Sequence, residues 1–292
     1  MRLGFIGLGA MGRPMAVNLL RANYPVKVWA RNQTVVQALV EEGAESVASA
    51  RELADVDVLF SMLSDDTAVR DLLLDGGILA GMRRESIHVN MATVSLRFAR
   101  ELASAHAERG IGYVAAPVLG RTDVAAAGKL NILAAGADDA IGRVQPLLDI
   151  LGQRTWHFGT LPERANAVKI AANFSIACAL EAMGESFALV RAQGIDAANF
   201  LDLLVNTLFA GAPVYKGYGA MIAQQRFEPA GFKLPLGLKD VQLAMQAAEE
   251  AHLPLPFASI LRDNLLDAIA QGDAELDWSA VAKVAARRGG LT

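Results

Sequence analysis

Three groups of residues in this 292-residue chain have the type and spacing to do chemistry. The first is the G-x-G-x-x-G run Gly7, Leu8, Gly9, Ala10, Met11 and Gly12. It stands between an apolar strand-like segment, Leu3 to Ile6, and a helix-patterned one, Pro14 to Leu20, which is the context a dinucleotide fingerprint requires. Gly7 permits the tight turn, Gly9 lets the backbone approach a pyrophosphate, and Gly12 lets helix pack closely on strand. The N–H groups at the helix start, with the dipole behind them, then hold the phosphates. The second group is Arg31 and Asn32, at the end of the next strand, Pro25 to Ala30. An acid there would grip the ribose 2′-OH of NAD, whereas an arginine favours the 2′-phosphate of NADP. Arg31-Asn32-Gln33-Thr34 contains no acid, and a guanidinium suits bidentate phosphate binding. NADP(H) is therefore the expected cofactor, with NAD(H) as the alternative.

The third group is Lys169 and Asn173, four apart on a helix-patterned stretch and so on one face. Ala165, Ala167, Val168, Ile170, Ala171 and Ala172 surround them. A lysine in such a setting is either solvated at a rim or partly buried. In the second case its pKa falls and it can move protons near neutral pH. The four histidines lie far apart in sequence without metal-ligand spacing, so no metal is expected.

These residues need a scaffold, and the pattern supplies one. Strand-like runs at Val56 to Met62, Ile87 to Asn90, Gly112 to Ala116, Leu130 to Ala135 and Thr155 to Phe158 alternate with helical ones at Thr34 to Glu42, Thr67 to Leu74, Leu96 to Arg109 and Ala140 to Leu151. That alternation predicts an α/β fold, an N-terminal Rossmann-type doubly wound, mostly parallel sheet. Ligands bind beyond the carboxyl ends of such strands, here at Met62-Leu63, Met91-Ala92-Thr93 and Leu119-Gly120-Arg121. From Pro162 the pattern turns all-helical. Arg164 to Gln193 can form one helix of about 45 Å, enough to join two domains. Further helices are expected at Ala197 to Leu208, Leu236 to Ala251, Pro256 to Gly272 and Ser279 to Arg287, with Phe209 to Gly219 and Pro229 to Pro235 as loops. The expected domains are 1–161, binding the dinucleotide, and 162–292, an all-α domain for substrate and oligomerisation.

Composition narrows the class. With 53% hydrophobic and 20% charged residues the chain is not disordered. Its richest apolar stretch, Ala165 to Val190, is interrupted by Asn166, Lys169, Asn173, Glu181 and Glu185, and reads as a buried helix of a soluble protein rather than a membrane span. The opening apolar run reads as strand and turn, not as a signal peptide. A net charge of −4 without a basic cluster beyond Arg287-Arg288 argues against nucleic acid as a partner. Cys178 is the single cysteine, which suits a reducing cytoplasm. The Ala-rich, apolar helical half suggests a homodimer or homotetramer formed through that half.

Over nearly its whole length the chain resembles the β-hydroxyacid dehydrogenase family, which includes 3-hydroxyisobutyrate dehydrogenases and glyoxylate/succinic semialdehyde and tartronate semialdehyde reductases. The resemblance is carried by Gly4 to Gly12, Met91-Ala-Thr-Val-Ser95, Ala116-Pro-Val-Leu-Gly120 with Ala127-Gly-Lys-Leu130, Lys169-Ile-Ala-Ala-Asn173 and Lys239-Asp240. It implies a small carbonyl or hydroxyacid substrate, Lys169 as proton donor and acceptor, and Asn173 orienting that lysine or the substrate. It further implies that Lys239 sits against the cofactor with Asp240 beside it at the substrate, and that Met62, Leu63 and Thr93 line the path from adenosine to nicotinamide. The family's substrate loop, Asp-Ala-Pro-Val-Ser-Gly-Gly, is altered here to Ala115-Ala-Pro-Val-Leu119-Gly120-Arg121. Either Arg121 clamps a substrate carboxylate, or Leu119 makes the pocket apolar for an uncharged substrate. Imine reductases share the two-domain build but generally replace the catalytic lysine, so Lys169 weighs against that alternative, as Lys169 with Asn173 does against a non-catalytic NADPH-binding module.

Overall fold

Strand β1 (Leu3–Ile6) is buried along its whole length, the signature of a strand covered on both faces. In the computed structural model, which describes residues 1–291, it opens the first of two units, Met1–Lys169 and Ile170–Thr292. The chain continues through α1 (Gly12–Arg21), β2 (Val26–Trp29), α2 (Gln33–Glu41), β3 (Glu45–Ser46), β4 (Val58–Ser61), α3 (Asp66–Val69), α4 (Ile78–Gly81), β5 (Ile87–Asn90) and α5 (Leu96–Ala107). Next come β6 (Gly112–Ala115), β7 (Val118–Leu119), α6 (Thr122–Ala126), β8 (Leu130–Gly136), α7 (Asp138–Leu151) and β9 (Gly152–His157).

The strand order is β3-β2-β1-β4-β5-β6-β8-β7, with β9 also paired to β8. From β3 to β6 every pairing is parallel, in register Leu3↔Val26, Leu3↔Val58 and Val58↔Ile87. Beyond β6 the sheet turns, because β8 runs antiparallel to β6 and β7. Apolar side chains fill both faces. Met15, Leu19, Val144 and Leu148 pack on one, and Leu53, Leu73, Phe98 and Leu102 on the other. Each fully buried side chain of this size contributes roughly 1.5–3 kcal/mol.

In the second unit α8 (Glu163–Ala192), which begins in the first, is followed by α9 (Ala197–Asn206), α10 (Pro213–Ala223), α11 (Leu234–Glu250), α12 (Pro256–Ala270) and α13 (Ala282–Arg288). Its core holds Phe187, Leu234, Val241, Leu261, Leu265 and Trp278.

Four expectations change. The loop expected at Phe209 to Gly219 is largely helix α10, started by Pro213 at its first position, where a missing N–H costs nothing. The loop expected at Pro229 to Pro235 ends earlier, since α11 begins at Leu234. The helix expected at Thr67 to Leu74 is the short α3 followed by a π-helical turn, Arg70–Asp75. The long helix read as buried is long and apolar enough to cross a membrane by length and composition, yet only 33% of its most apolar window is buried. Its first turns belong to the first unit, because Ala165 and Val168 pack with Ala92 and Leu133. The two compact units meet inside this helix, at Lys169 and Ile170.

Candidate active site

The glycine turn after β1 is fixed by contacts that no side chain could share. Gly7 has φ +92°, and a Cβ there would lie 2.2 Å from the Met62 carbonyl oxygen. A Cβ on Gly12 would lie 1.9 Å from the Gly7 carbonyl oxygen. Gly9 differs: a Cβ there would meet nothing within 4 Å, so this stretch of backbone stays open to a ligand. Met11, at the N-cap of α1, makes no side-chain cap hydrogen bond, and the first turn of the helix carries no acid. Helix dipole and amides together favour an anion at this point.

Beside the turn lies a cavity of about 870 Å³ at the carboxyl ends of β1, β2 and β4. Gly7, Leu8, Gly9, Arg31, Met62 and Leu63 line it, and Asn32 contributes as well. Room, an open glycine backbone, an uncapped helix start and an arginine at its rim all fit a pyridine nucleotide. Asn32 has structural work too, since its side chain accepts the Thr34 N–H at 3.0 Å and caps α2. Ala10 is exposed, whereas Met11 packs on the core. Thr93 is half-buried in the segment that leaves β5.

Beneath this end of the sheet lies a buried polar network that the sequence reading missed. Ser61 Oγ is 2.8 Å from His88 Nε2, and His88 Nδ1 is 3.0 Å from His106 Nε2. His106 Nδ1 is 2.6 Å from the Leu102 carbonyl, which can only accept, so Nδ1 carries the proton. It follows that His88 donates to His106 and that His88 Nε2 is an acceptor. The Ser61 hydroxyl hydrogen is shared between that nitrogen and Asn90 Oδ1 at 3.1 Å, while Asn90 Nδ2 donates to the Tyr113 hydroxyl at 3.1 Å. Burial, with His106 alongside, holds His88 well below the usual imidazole range. Burial takes His106 down to about 4 and pushes the Tyr113 hydroxyl up. Both imidazoles are thus neutral at pH 7. Two histidines 18 apart in sequence gave no linear signal of this contact.

In the second unit Asn173 Nδ2 donates to Asp240 Oδ2 at 2.5 Å, and both side chains are buried. Lys239 Nζ lies 3.2 Å from the other oxygen, Asp240 Oδ1. The structure thereby brings Asn173, Lys239 and Asp240 together, 67 positions apart for the hydrogen-bonded pair. The lysine balances a carboxylate that would be costly to bury alone. Lys169 is half-buried, one turn before Asn173 on α8.

Among the residues of the altered loop, Leu119 is half-buried on β7 and packs into the core beside Leu133 and Ala115. Gly120 has φ +140°, and a Cβ would come 2.8 Å from Leu130 Cδ2. Arg121 is half-buried at the N-cap position of α6.

Comparison with known proteins agrees with this fold. The family description "NAD binding domain of 6-phosphogluconate dehydrogenase" matches residues 2–159, and "NAD-binding of NADP-dependent 3-hydroxyisobutyrate dehydrogenase" matches residues 164–285. The chain is 41% identical to the uncharacterized oxidoreductase YfjR of Bacillus subtilis, over 97% of this chain and 99% of that one. It is 33% identical to 2-hydroxy-3-oxopropionate reductase of Escherichia coli, over 96% of each. A crystal structure of 3-hydroxyisobutyrate dehydrogenase from Salmonella typhimurium superposes with a TM-score of 0.87 at 26% identity, covering 97% of this chain and 99% of that one. The chain belongs to the β-hydroxyacid dehydrogenase family. It is an NAD(P)-dependent oxidoreductase of the hydroxyacid dehydrogenase type.

Proposed function

We propose that the protein is an NADP(H)-preferring reductase or dehydrogenase of small acid-bearing aldehydes and their hydroxyacids, with Lys169 as its general acid and base. The observation that carries this reading is the placement of Lys169 one turn from Asn173, whose amide is held by the buried Asp240. The pyridine nucleotide, when bound, supplies or takes up the hydride. In oxidation, neutral Lys169 Nζ accepts the hydroxyl proton as the C–H bond gives up hydride, leaving the carbonyl. In reduction, the ammonium of Lys169 returns a proton to the developing alkoxide. Asn173 orients this exchange, because an amide fixed through its nitrogen presents its carbonyl oxygen in one direction.

For the cofactor, Gly7 to Gly12 hold the pyrophosphate, Arg31 with Asn32 takes the 2′-phosphate, and Met62, Leu63 and Thr93 guide the rest of the molecule. The cavity position of Arg31, with no acid at the end of β2, supports NADP(H) over NAD(H). For the substrate, Leu119 packs partly against the core, Gly120 and Arg121 meet a carboxylate, and Asp240 fixes Asn173. The helical half keeps large apolar side chains exposed, among them Leu189, Leu203, Leu208 and Phe257 at 64, 55, 75 and 65%. We assign these to a homodimer or homotetramer contact in a cytoplasmic enzyme; a light-scattering mass of one chain would remove that assignment.

The test is NADPH oxidation against succinic semialdehyde, glyoxylate, uncharged aldehydes and cyclic imines, with NADH run in parallel. Turnover of the acid-bearing aldehydes that falls in Lys169→Ala and loses its acid preference in Arg121→Ala is expected. Turnover confined to uncharged aldehydes or imines would overturn the substrate assignment.

A further inference from the structure

The segment leaving β5, Met91 to Ser95, is held with unusual completeness for an irregular stretch. Met91 N–H donates to the Ser61 carbonyl at 2.8 Å. Ala92 N–H donates to Asn90 Oδ1 at 3.1 Å, and Val94 N–H to Asn166 Oδ1 at 3.4 Å. Ser95 N–H donates to Asp66 Oδ1 at 2.9 Å, and Ser95 Oγ–H to Asp66 Oδ2 at 2.5 Å. The four amides around Thr93 are thus anchored to β4, β5, α8 and α3. Three of the acceptors are side chains, which irregular backbone needs when it is buried away from water.

Asp66 stands apart within this set. Its carboxylate is the one charged acceptor, and it makes two bonds to a single residue, the stronger arrangement for a hydrogen-bonded carboxylate. Ser95 also caps α5, accepting the Phe98 N–H at 3.1 Å, so the bond reaches a rigid element. On its own side Asp66 follows directly on Leu63, Ser64 and Asp65, all of which line the cofactor cavity. It therefore ties the exit of β4 to the exit of β5.

We propose that Asp66 is a positioning residue for hydride transfer: through Ser95 it fixes Thr93, and with it the nicotinamide half of the cofactor. This rests on the reading of Thr93 as a cofactor-path residue. Asp66 touches no reacting atom. Its effect is geometric, and small misplacements of a hydride donor are expensive in rate.

The test uses Asp66→Ala, Asp66→Asn and Thr93→Ala in the intact protein, with urea midpoints recorded for each. NADPH binding, by quenching of protein fluorescence, is compared with binding of 2′-phospho-ADP-ribose, which carries the adenosine half and the pyrophosphate but no nicotinamide. Asp66→Ala is expected to weaken NADPH about tenfold and to lower kcat, while the fragment changes less than about twofold. Asp66→Asn keeps an oxygen for the Ser95 N–H and should recover most of the loss. Thr93→Ala should reproduce the pattern, and the double variant should add little to either single one. Equal weakening of NADPH and fragment would make the role of Asp66 merely structural and overturn the proposal. An intact Asp66→Ala beside an impaired Thr93→Ala would overturn it while leaving Thr93 in place. A silent Thr93→Ala would remove the reading on which it rests, and the proposal with it.

Discussion

Asn173 and Asp240 share a hydrogen bond of 2.5 Å inside the helical unit, joining α8 to α11. The family resemblance implied that Asn173 orients the lysine one turn away or the substrate. The structure adds what holds the asparagine. Asp240 receives the amide on one oxygen and the Lys239 ammonium on the other. Asp240→Ala should therefore cost about 2 kcal/mol in urea unfolding, the scale of a hydrogen bond to a charged group. It should also lower kcat more than it raises KM for NADPH. An unchanged kcat would detach this pair from the reaction.

The glycines of the turn should behave differently from one another. Gly12→Ala forces a methyl onto the Gly7 carbonyl and should both destabilise the fold and abolish nucleotide binding. Gly9→Ala meets no protein atom, so its melting temperature should stay within about 2 °C of the parent. Its KM for NADPH should nevertheless rise about tenfold or more, because the methyl occupies the ligand's approach. Equal stability losses in the two variants would contradict this division.

Arg31 is exposed and lines the cavity, so removing it should leave stability untouched. Arg31→Ala should raise KM for NADPH about tenfold, within the range for losing a charged hydrogen-bonded partner, and leave KM for NADH nearly unchanged. A parallel rise for both cofactors would remove the 2′-phosphate assignment.

The buried histidines give the fold a pH dependence of known sign. Both have folded pKa values below the unfolded value of about 6.5, so the unfolded chain binds protons more readily between them. Their stabilising contribution is full above about pH 6.5 and is lost as pH falls towards the folded values, about 4 for His106. Glu181 acts in the opposite sense, because burial raises its carboxyl, so its contribution is present at low pH and lost as pH rises. Urea midpoints at pH 7.5, 6 and 5 should fall with acidification, and His106→Gln should flatten the fall. A slope unchanged in that variant would place the dependence elsewhere.

What the sequence made legible follows from how local each signal is. The glycine turn could be read because strand, turn and helix are adjacent, and its steric demands are met within about ten residues and one neighbouring strand end. Helix α10 was hidden because Gly217 and Gly219 resemble loop residues. In the structure Gly219 serves packing, since a Cβ there would come 2.6 Å from Leu201 on α9. The burial of Asp240 was hidden for a similar reason: Lys-Asp at a helix start resembles a solvated pair, and only α8 laid against it makes it an interior site. The clasp of Asp66 on Ser95, 29 positions apart, had no linear trace at all.

The most direct test is the rate of hydride transfer from NADPH to succinic semialdehyde in Lys169→Ala, measured under single turnover beside NADPH binding and with added methylamine. Loss of about 10²–10⁴ in rate, with binding intact and partial recovery by the amine, is the predicted result for a general acid. A rate within a few-fold of the parent at saturating substrate would show that the proton comes from another group.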